Sequence, residues 1–368
     1  MRVRVLTLLL FLCLAAPAQA SVSWLVRGHG FGHGVGVSQY GAYGYAKHGK
    51  GYRFILAHYY TGTTIGTLSG PHVVRVLLEI SPGDVGFSGA TGACGKALDP
   101  ARHYEAHLDG KRVELRGSGG KRLADCGHEL RAAGTGRITI AGLGAYRGAL
   151  EVVPTASDAG SLNVVNALAL EQYVKGVIPN ESPPSWPQAE LRAQAVESRS
   201  FALTGGVGGN GFDLYSDTRS QVYGGLASET PSTDAAAEAT RGQVVLYRGK
   251  VAEAFFSACS GGHTESVQNV FGGPAVPYLQ GVPDPYDYYC PLHDWTLRFS
   301  GPEISARLGG YLDGRLKKVV VTRRGASPRI VQAKLYGTSG VTQASGSELE
   351  TALGTYSSWM TFVKQAGR

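Results

Sequence analysis

The chain has 368 residues, 53 of them glycine, with 35 Lys+Arg against 28 Asp+Glu and a formal net charge of +7. Glycine at about twice its usual ~7% and only 17% charged residues exclude a coiled coil or a charge-rich disordered chain, and suit strands joined by tight turns. The positive excess is mild and forms no Lys/Arg stripe, which argues against a nucleic-acid binder.

Residues 1–20 read as a secretory leader: Arg2 and Arg4 are basic, Leu6 to Ala16 is apolar, and Ala18-Gln19-Ala20 is a small-x-small cleavage site. The apolar run is too short to span a bilayer, and no later stretch reaches the ~20 residues required. The expectation is an exported protein without a membrane span, in a periplasm, in the cell wall or outside the cell. Cys13 lies in the leader and leaves Cys94, Cys126, Cys259 and Cys290. An even number in an exported chain suggests disulfides, and proximity favours Cys94–Cys126 and Cys259–Cys290. Cys259-x3-His263 and Cys290-x2-His293 offer the alternative of a tetrahedral zinc, closed by its four protein ligands and therefore structural.

Arg27–Thr64 is dense in glycine, histidine and tyrosine. Its glycines predict backbone at positive φ, or close approach to a ligand or a second chain segment. They also argue against a helical metal pair at His29 and His33, leaving an interior turn as the plainer reading. Strands follow at Val73–Ile80, at His103–Leu108 and Arg112–Arg116 around an Asp109-Gly110 turn, and at Arg137–Ala141 and Ala149–Val153. Ala156–Gly160 looks like a boundary. Beyond it the pattern predicts a strand at Leu162–Val165, a helix at Leu168–Val177 and a proline-rich loop at Pro179–Pro187. A helix over Gln188–Leu203 follows, with Ser185 and Gln188 spaced as a capping box and Gly205-Gly206 as its stop. Thr233–Thr240 reads as a helix, Val244–Tyr247 and Val251–Ser257 as a hairpin. Val319–Thr322 and Ile330–Leu335 read as strands and Ser347–Leu353 as a helix. The fold class is α+β.

There is no HExxH, P-loop or GxGxxG, and Gly36-Val37-Ser38-Gln39-Tyr40 departs from a nucleophile elbow at its last residue. Arg199 lies in the apolar stripe of Ala195, Val196, Ala202 and Leu203, so it requires a partner. It either closes an internal salt bridge or orients a catalytic carboxylate or an anionic substrate. Glu181, in Pro179-Asn180-Glu181-Ser182-Pro183-Pro184-Ser185-Trp186, is either an ordinary loop carboxylate or an acid kept protonated by an apolar wall, able to donate to a glycosidic oxygen. Tyr40, Tyr43, Tyr45, Tyr52, Tyr59, Tyr60 and Trp186 are core residues or the lining of a sugar groove.

Several of these segments together resemble the SpoIID/LytB family of bacterial cell-wall proteins. They are Leu162–Asn166, Leu170–Val177, Glu181 with Trp186, and Arg192–Arg199 (RAQAVESR). Asp217–Gly224 (DTRSQVYG), Phe256–Glu265 with Ser260-Gly261-Gly262, Tyr278-Leu279, Asp294-Trp295, Gly346–Leu353 and Gly30–Ala42 (GFGHGVGVSQYGA) join them. In the family the last of these closes the domain; here it comes first, as in a circular permutation. The resemblance implies one SpoIID-like catalytic domain. Residues 1–20 would be the leader, 21–68 a segment completing that domain, 69–156 a β-rich subdomain or insertion, and 157–368 the SpoIID-like part. It implies a lytic transglycosylase acting on peptidoglycan glycan strands, stripped of peptides in some members, with no metal or cofactor. Glu181 matches the catalytic acid. Gln194 and Arg199 match the facing helix, and His33, Ser38, Gln39, Asp217, Gln221 and Tyr223 match positions near the cleft. The alternative it implies is a non-catalytic wall-binding protein that stimulates a cell-wall amidase.

Overall fold

The computed structural model describes residues 22–156, 160–206, 208–209 and 211–365; the expected leader lies outside them. The architecture is mixed α+β. Its first strand, Ser23–His29, lies between Asp294–Ser300 and Met360–Gln365 and is antiparallel to both. Trp24 and Val26 point to one side and pack with Trp295, Phe299, Leu335, Leu349 and Met360, while Leu25 on the other side is buried too. The sheet of Lys318–Arg324, Ile330–Tyr336 and Val341–Ser345 contributes to the same core.

The glycine-rich turn that follows is explained by both expected causes. Gly30, Gly32, Gly34 and Gly36 have φ of +75°, +93°, +75° and +74°, the region open to glycine at little cost. They also let two segments touch: Gly34 lies against the Arg329 guanidinium, and Gly36 against the Phe255 carbonyl. Val37–Ser38 can then pair in parallel with Phe256–Ser257. Helix α1 (Gln39–Lys47) starts there, the Ser38 hydroxyl accepting from the Gly41 N–H at 3.1 Å. Helix α2 (Tyr52–Tyr59) buries Ile55, Leu56 and Tyr59.

Residues beyond Val73 build two sheets. One has six strands: Arg122–Asp125, Arg112–Gly117, Tyr104–Asp109, Val85–Ser88, Ile138–Ile140 and Gly144–Tyr146, in that order. The other has seven, with Val73–Ser81, Leu162–Ala169 and Ala149–Pro154 adjacent at its centre. This larger sheet therefore spans both sides of Ala156–Gly160, because Leu162–Ala169 pairs along its whole length with Val73–Ser81. The strand is longer than its β-branched start suggested and displaces the start of helix α3 to Leu170–Glu181.

Helix α3 also outruns the expected loop. Pro179 sits in its last turn, where it has no N–H to offer the Lys175 carbonyl. Helix α4 (Gln188–Thr204) begins after Pro187 without a side-chain cap, so Ser185 does not play the role its spacing suggested. Thr230 caps helix α5 (Pro231–Ala239), which has proline in its first turn. The predicted second arm of the later hairpin is only Lys250–Val251, since Phe256–Ser257 leaves to pair with Val37–Ser38.

Helix α4 is buried on every side. Leu191, Ala195, Phe201 and Ala202 enter the core beneath the two larger sheets. Ala193 and Val196 enter a separate core with Val35, Val37, Tyr45, Ile55, Tyr59 and Tyr60. Both expected cysteine pairs are at disulfide distance, with Cα–Cα separations of 5.2 Å for Cys94–Cys126 and 6.2 Å for Cys259–Cys290. Bonding of Cys259 to Cys290 removes both sulfurs from the alternative zinc site. His263 Nδ1 instead meets the Thr264 carbonyl at 2.7 Å and His293 Nδ1 the Asp287 carboxylate at 3.0 Å.

Replacing Gly36 with alanine combines a left-handed φ with a collision against the Phe255 carbonyl. Urea unfolding of the variant should show a loss of about 2–4 kcal/mol, whereas Gly49→Ala, also at positive φ but with open space around it, should lose about 1 kcal/mol.

Candidate functional site

Glu181 ends helix α3, half-buried, and two other segments reach its carboxyl group. The Val222 N–H donates to Oε1 at 2.7 Å. Gln39 Nε2 donates to the Glu181 carbonyl at 3.0 Å and lies 3.5 Å from Oε2. The loop carrying Val222 is docked by the irregular end of α3: the Gly176 carbonyl accepts from the Gly224 N–H at 3.0 Å and from Asn180 Nδ2 at 2.8 Å. Burial raises the Glu181 pKa, and the bonds from Val222 and Gln39 pull the other way. Its place in a helix's last turn, at the negative end of the dipole, also disfavours the carboxylate.

A hydrogen-bonded chain runs inward from this group. Gln39 Nε2 donates to Gln194 Oε1 at 3.1 Å, and Gln194 Nε2 to Ser198 Oγ at 3.1 Å. The Ser182 hydroxyl lies 2.7 Å from Glu190 Oε1 and 3.2 Å from Gln194 Oε1. Gln221 Nε2 donates to the Ser198 carbonyl and the Tyr173 hydroxyl, each at 3.2 Å. Of the residues singled out in the sequence, Glu181, Gln39, Gln194 and Gln221 are thus brought together.

Two further carboxyls lie on the same side of α4 as Gln194. Glu190 and Glu197, seven residues apart, are fully buried, and one oxygen of each has no hydrogen-bond partner among the described residues. Burial pushes Glu190 up to about 8. Burial also holds Glu197 well above the carboxylate range, with Glu190 and Glu181 adding repulsion. The sequence does carry a signal for them, the polar series Glu190, Gln194, Glu197 at helical spacing. Val222 acts through its backbone and leaves no such signal.

The other expected residues bond to other partners. Arg199 does not face Glu181. Its five N–H donors are all engaged: Nε and Nη2 hold Glu171 at 2.9 and 2.8 Å, Nη1 the Ala195 carbonyl and Thr240 Oγ1 at 3.1 Å each, and Nη2 also the Ala237 carbonyl at 2.7 Å. It ties α4 to α3 and α5, the internal salt bridge of the two readings. Ser38 caps α1 and donates to Asp287 at 2.6 Å, and Asp287 also accepts from the Ser260 and Gly261 N–H groups at 3.1 and 2.8 Å. The Tyr223 hydroxyl donates to Asn166 at 2.8 Å within the core. Asp217 pairs with Arg219 at 2.7 Å at the surface. His33 packs edge-on to Phe255 and Phe271. Burial, with the Arg329 guanidinium adding, pushes its pKa down to about 4, so its neutral Nδ1 accepts from the Val35 N–H at 2.9 Å.

Of the tyrosines, Tyr45, Tyr59 and Tyr60 are core residues. Tyr40 and Tyr43 instead meet Trp186, with ring centroids 5.0 and 4.8 Å apart, beside Glu181 in the chain. A cavity of about 710 Å³ lies toward the other end of α3, lined by His72, Arg147, Glu171, Lys175 and Arg241 among others, and does not include Glu181. Its three principal cations are paired, Arg147 with Glu229 and both Lys175 and Arg241 with Glu238. Among the described residues no group of three or more His, Cys, Asp or Glu side chains is placed to hold a metal. Nor is any helix among them long and apolar enough to cross a membrane.

The family model for SpoIID, stage II sporulation protein, matches residues 158–247. An uncharacterized protein of Brachyspira hyodysenteriae is 40% identical over 169 residues, 45% of this chain and 45% of its own length. An amidase enhancer of Bacillus subtilis is 37% identical over 134 residues, 36% of this chain and 18% of its own. The stage II sporulation protein D of Bacillus subtilis is 33% identical over 168 residues, 41% of this chain and 48% of its own. The matches thus span less than half the length of these relatives, and they support the SpoIID/LytB family identified from the motifs.

Removing the Arg199 guanidinium leaves half-buried Glu171 with only the Gly242 N–H and strips the Ala195 and Ala237 carbonyls of a donor, so Arg199→Ala should lose about 3 kcal/mol in chemical unfolding. Lysine should not restore it, lacking the fork that meets both carboxylate oxygens. Glu190 binds its proton more tightly folded than unfolded, between its ordinary 4.5 and about 8. Its contribution is therefore fully present below pH 4.5 and lost as pH rises through about 8. The thermal midpoint should fall across that interval, and Glu190→Gln should flatten the fall.

Proposed function

We propose that this chain of the SpoIID/LytB family acts on peptidoglycan as a lytic transglycosylase, with Glu181 as its single acid and base. The likeness to SpoIID and to an amidase enhancer supports the coarser statement, a peptidoglycan-related role. The observation that carries the finer one is Glu181 itself: its carboxyl is half-buried, raised in pKa and bonded by the Val222 N–H, while Gln39 holds its backbone carbonyl and lies 3.5 Å from Oε2. A carboxyl so placed keeps its proton at pH values where an exposed glutamate has lost it, and can pass it to a glycosidic oxygen.

One carboxyl suffices for this reaction. Glu181 gives its proton to the departing oxygen as the muramyl C1–O bond breaks. The muramyl C6 hydroxyl then attacks its own anomeric carbon and gives its proton back to Glu181, leaving a 1,6-anhydro end. Water-using glycosidases need a second carboxylate to activate water or attack the sugar; intramolecular attack gains instead from proximity. Gln39 steadies the Glu181 backbone from the glycine-rich first segment, which in this proposal completes the catalytic domain. The paired cysteines are consistent with an exported protein working in the periplasm, the wall or outside.

A second reading, a non-catalytic wall-binding protein that enhances an amidase, is favoured by the 37% identity to the amidase enhancer. Purified glycan strands, intact and peptide-stripped, would be incubated with the protein and with Glu181→Gln, and the new ends read by mass spectrometry. The transglycosylase forms 1,6-anhydro ends, and the variant should be slower by about 10²–10⁴-fold. Reducing ends would mean a hydrolase, and no new ends from a protein that still binds the strands would favour the enhancer. Because the protonated acid is the active form, the rate should fall as pH rises through the raised Glu181 pKa.

A further inference from the structure

From Trp186, which follows Glu181 in the chain and packs partly against the core, a run of aromatic rings leads to the surface. Tyr43 of α1 meets Trp186 at 4.8 Å and Tyr289 at 5.3 Å, and Tyr289 stacks on Tyr288 at 4.6 Å with an interplanar angle of 30°. Tyr288 is 53% exposed and Tyr289 36%. Exposed aromatics on a loose loop would mean little, but these two are held from both ends. Asp287 before them is buried and hydrogen-bonded to Ser38, Ser260 and Gly261, and Cys290 after them is bonded to Cys259. His48 adds a contact to the Tyr288 hydroxyl at 3.2 Å.

We propose that Trp186, Tyr43, Tyr289 and Tyr288 form a stacking platform that binds the glycan strand of peptidoglycan and feeds it to Glu181. This deepens the reading given above and rests on it for the identity of the strand. The platform is joined to Glu181 through two short paths. Trp186 follows it in the same proline-restricted segment, and Tyr40, also packed on Trp186, follows the Gln39 that bonds Glu181. The rings are uncharged, and two of their rims carry exposed hydroxyls. Such a surface suits a ligand with apolar faces and a polar edge, which is the character of a pyranose ring. Successive ring centroids from Trp186 to Tyr288 are 4.8, 5.3 and 4.6 Å apart, with a right-angle turn between the Tyr43 and Tyr289 rings.

The test uses the full protein carrying Glu181→Gln, so that strands are bound and not consumed, with Tyr288→Ser, Tyr289→Ala and Tyr289→Phe added singly. Binding to peptide-stripped glycan strands is read by co-sedimentation with crosslinked glycan and by titration. Loss of a ring should weaken binding by about tenfold, the value of one or two aromatic contacts. The Phe variant should bind as its parent. In the protein with Glu181 intact, the same changes should raise KM and leave kcat unchanged. Tyr288 is more than half exposed, so Tyr288→Ser keeps the test informative even if Tyr289→Ala unfolds. Unchanged glycan binding in a folded Tyr288→Ser overturns the proposal, as does loss of amidase stimulation alone, which would assign the rings to a protein partner. Should the wild type form no new ends while the ring variants lose glycan binding, the platform stands and the transglycosylase falls.

Discussion

Helix α4 is enclosed on all sides by two hydrophobic cores, yet half of its length is polar. Everything near the candidate site follows from that constraint. A buried guanidinium must be bonded or the helix does not pack, and Arg199 meets the demand with all five donors, fastening α4 to α3 and α5. Buried carboxyls must be bonded or neutral, and Glu190 and Glu197 are held toward the neutral form. With α4 fixed, Gln194 has a single direction to point, toward Gln39 and Ser182. The end of α3, which carries Glu181, is then set against it.

The second enclosing core comes from the far end of the sequence. Val35, Val37, Tyr45 and Ile55 cover the face of α4 that the larger sheets leave open. The same segment supplies Gln39 at the Glu181 backbone carbonyl and Ser38 at Asp287. A Gln39 side chain in this position depends on the four positive-φ glycines before it, because the turn they make admits Arg329 and the Phe255 carbonyl where side chains would stand. Backbone freedom at those four positions thus reaches the candidate acid through one amide.

How much of this was legible varies with the range of the interaction. The α+β class, the two cysteine pairs and helix α4 to within one residue were readable, because periodicity and turn chemistry are local. Arg199 was readable as an anomaly, but not its partner: Glu171 and Glu181 stand at opposite ends of one helix, and the packing of α4 across α3 decides which of them the guanidinium meets. Glu190 and Glu197 were passed over for a related reason. A glutamate at helical spacing ordinarily marks a solvent face, and only the distant first segment turns that face into an interior. The helix ending at Glu181 was hidden by Pro179, which ordinarily marks a boundary but here only leaves the Lys175 carbonyl without its helical donor. The family resemblance placed Gln39 and Gln194 near Glu181, and it also placed there Ser38, Tyr223 and Asp217, which bond to other partners.

The position of Ser23–His29 has a consequence for the order in which the molecule can assemble. It is the middle strand of a sheet whose two edges, Asp294–Ser300 and Met360–Gln365, lie at the other end of the chain. It has no neighbour to pair with until residues 294–300 have been made. Contacts of such long sequence separation carry a large loop-closure cost and form slowly. The turn that follows the strand, and with it Gln39, waits for the same event. The larger sheets can condense earlier from contiguous sequence, so the candidate acid on α3 exists before the segment that holds it in place. Until the C-terminal strands close around Ser23–His29, the chain is folded in its scaffold and unfinished at its site.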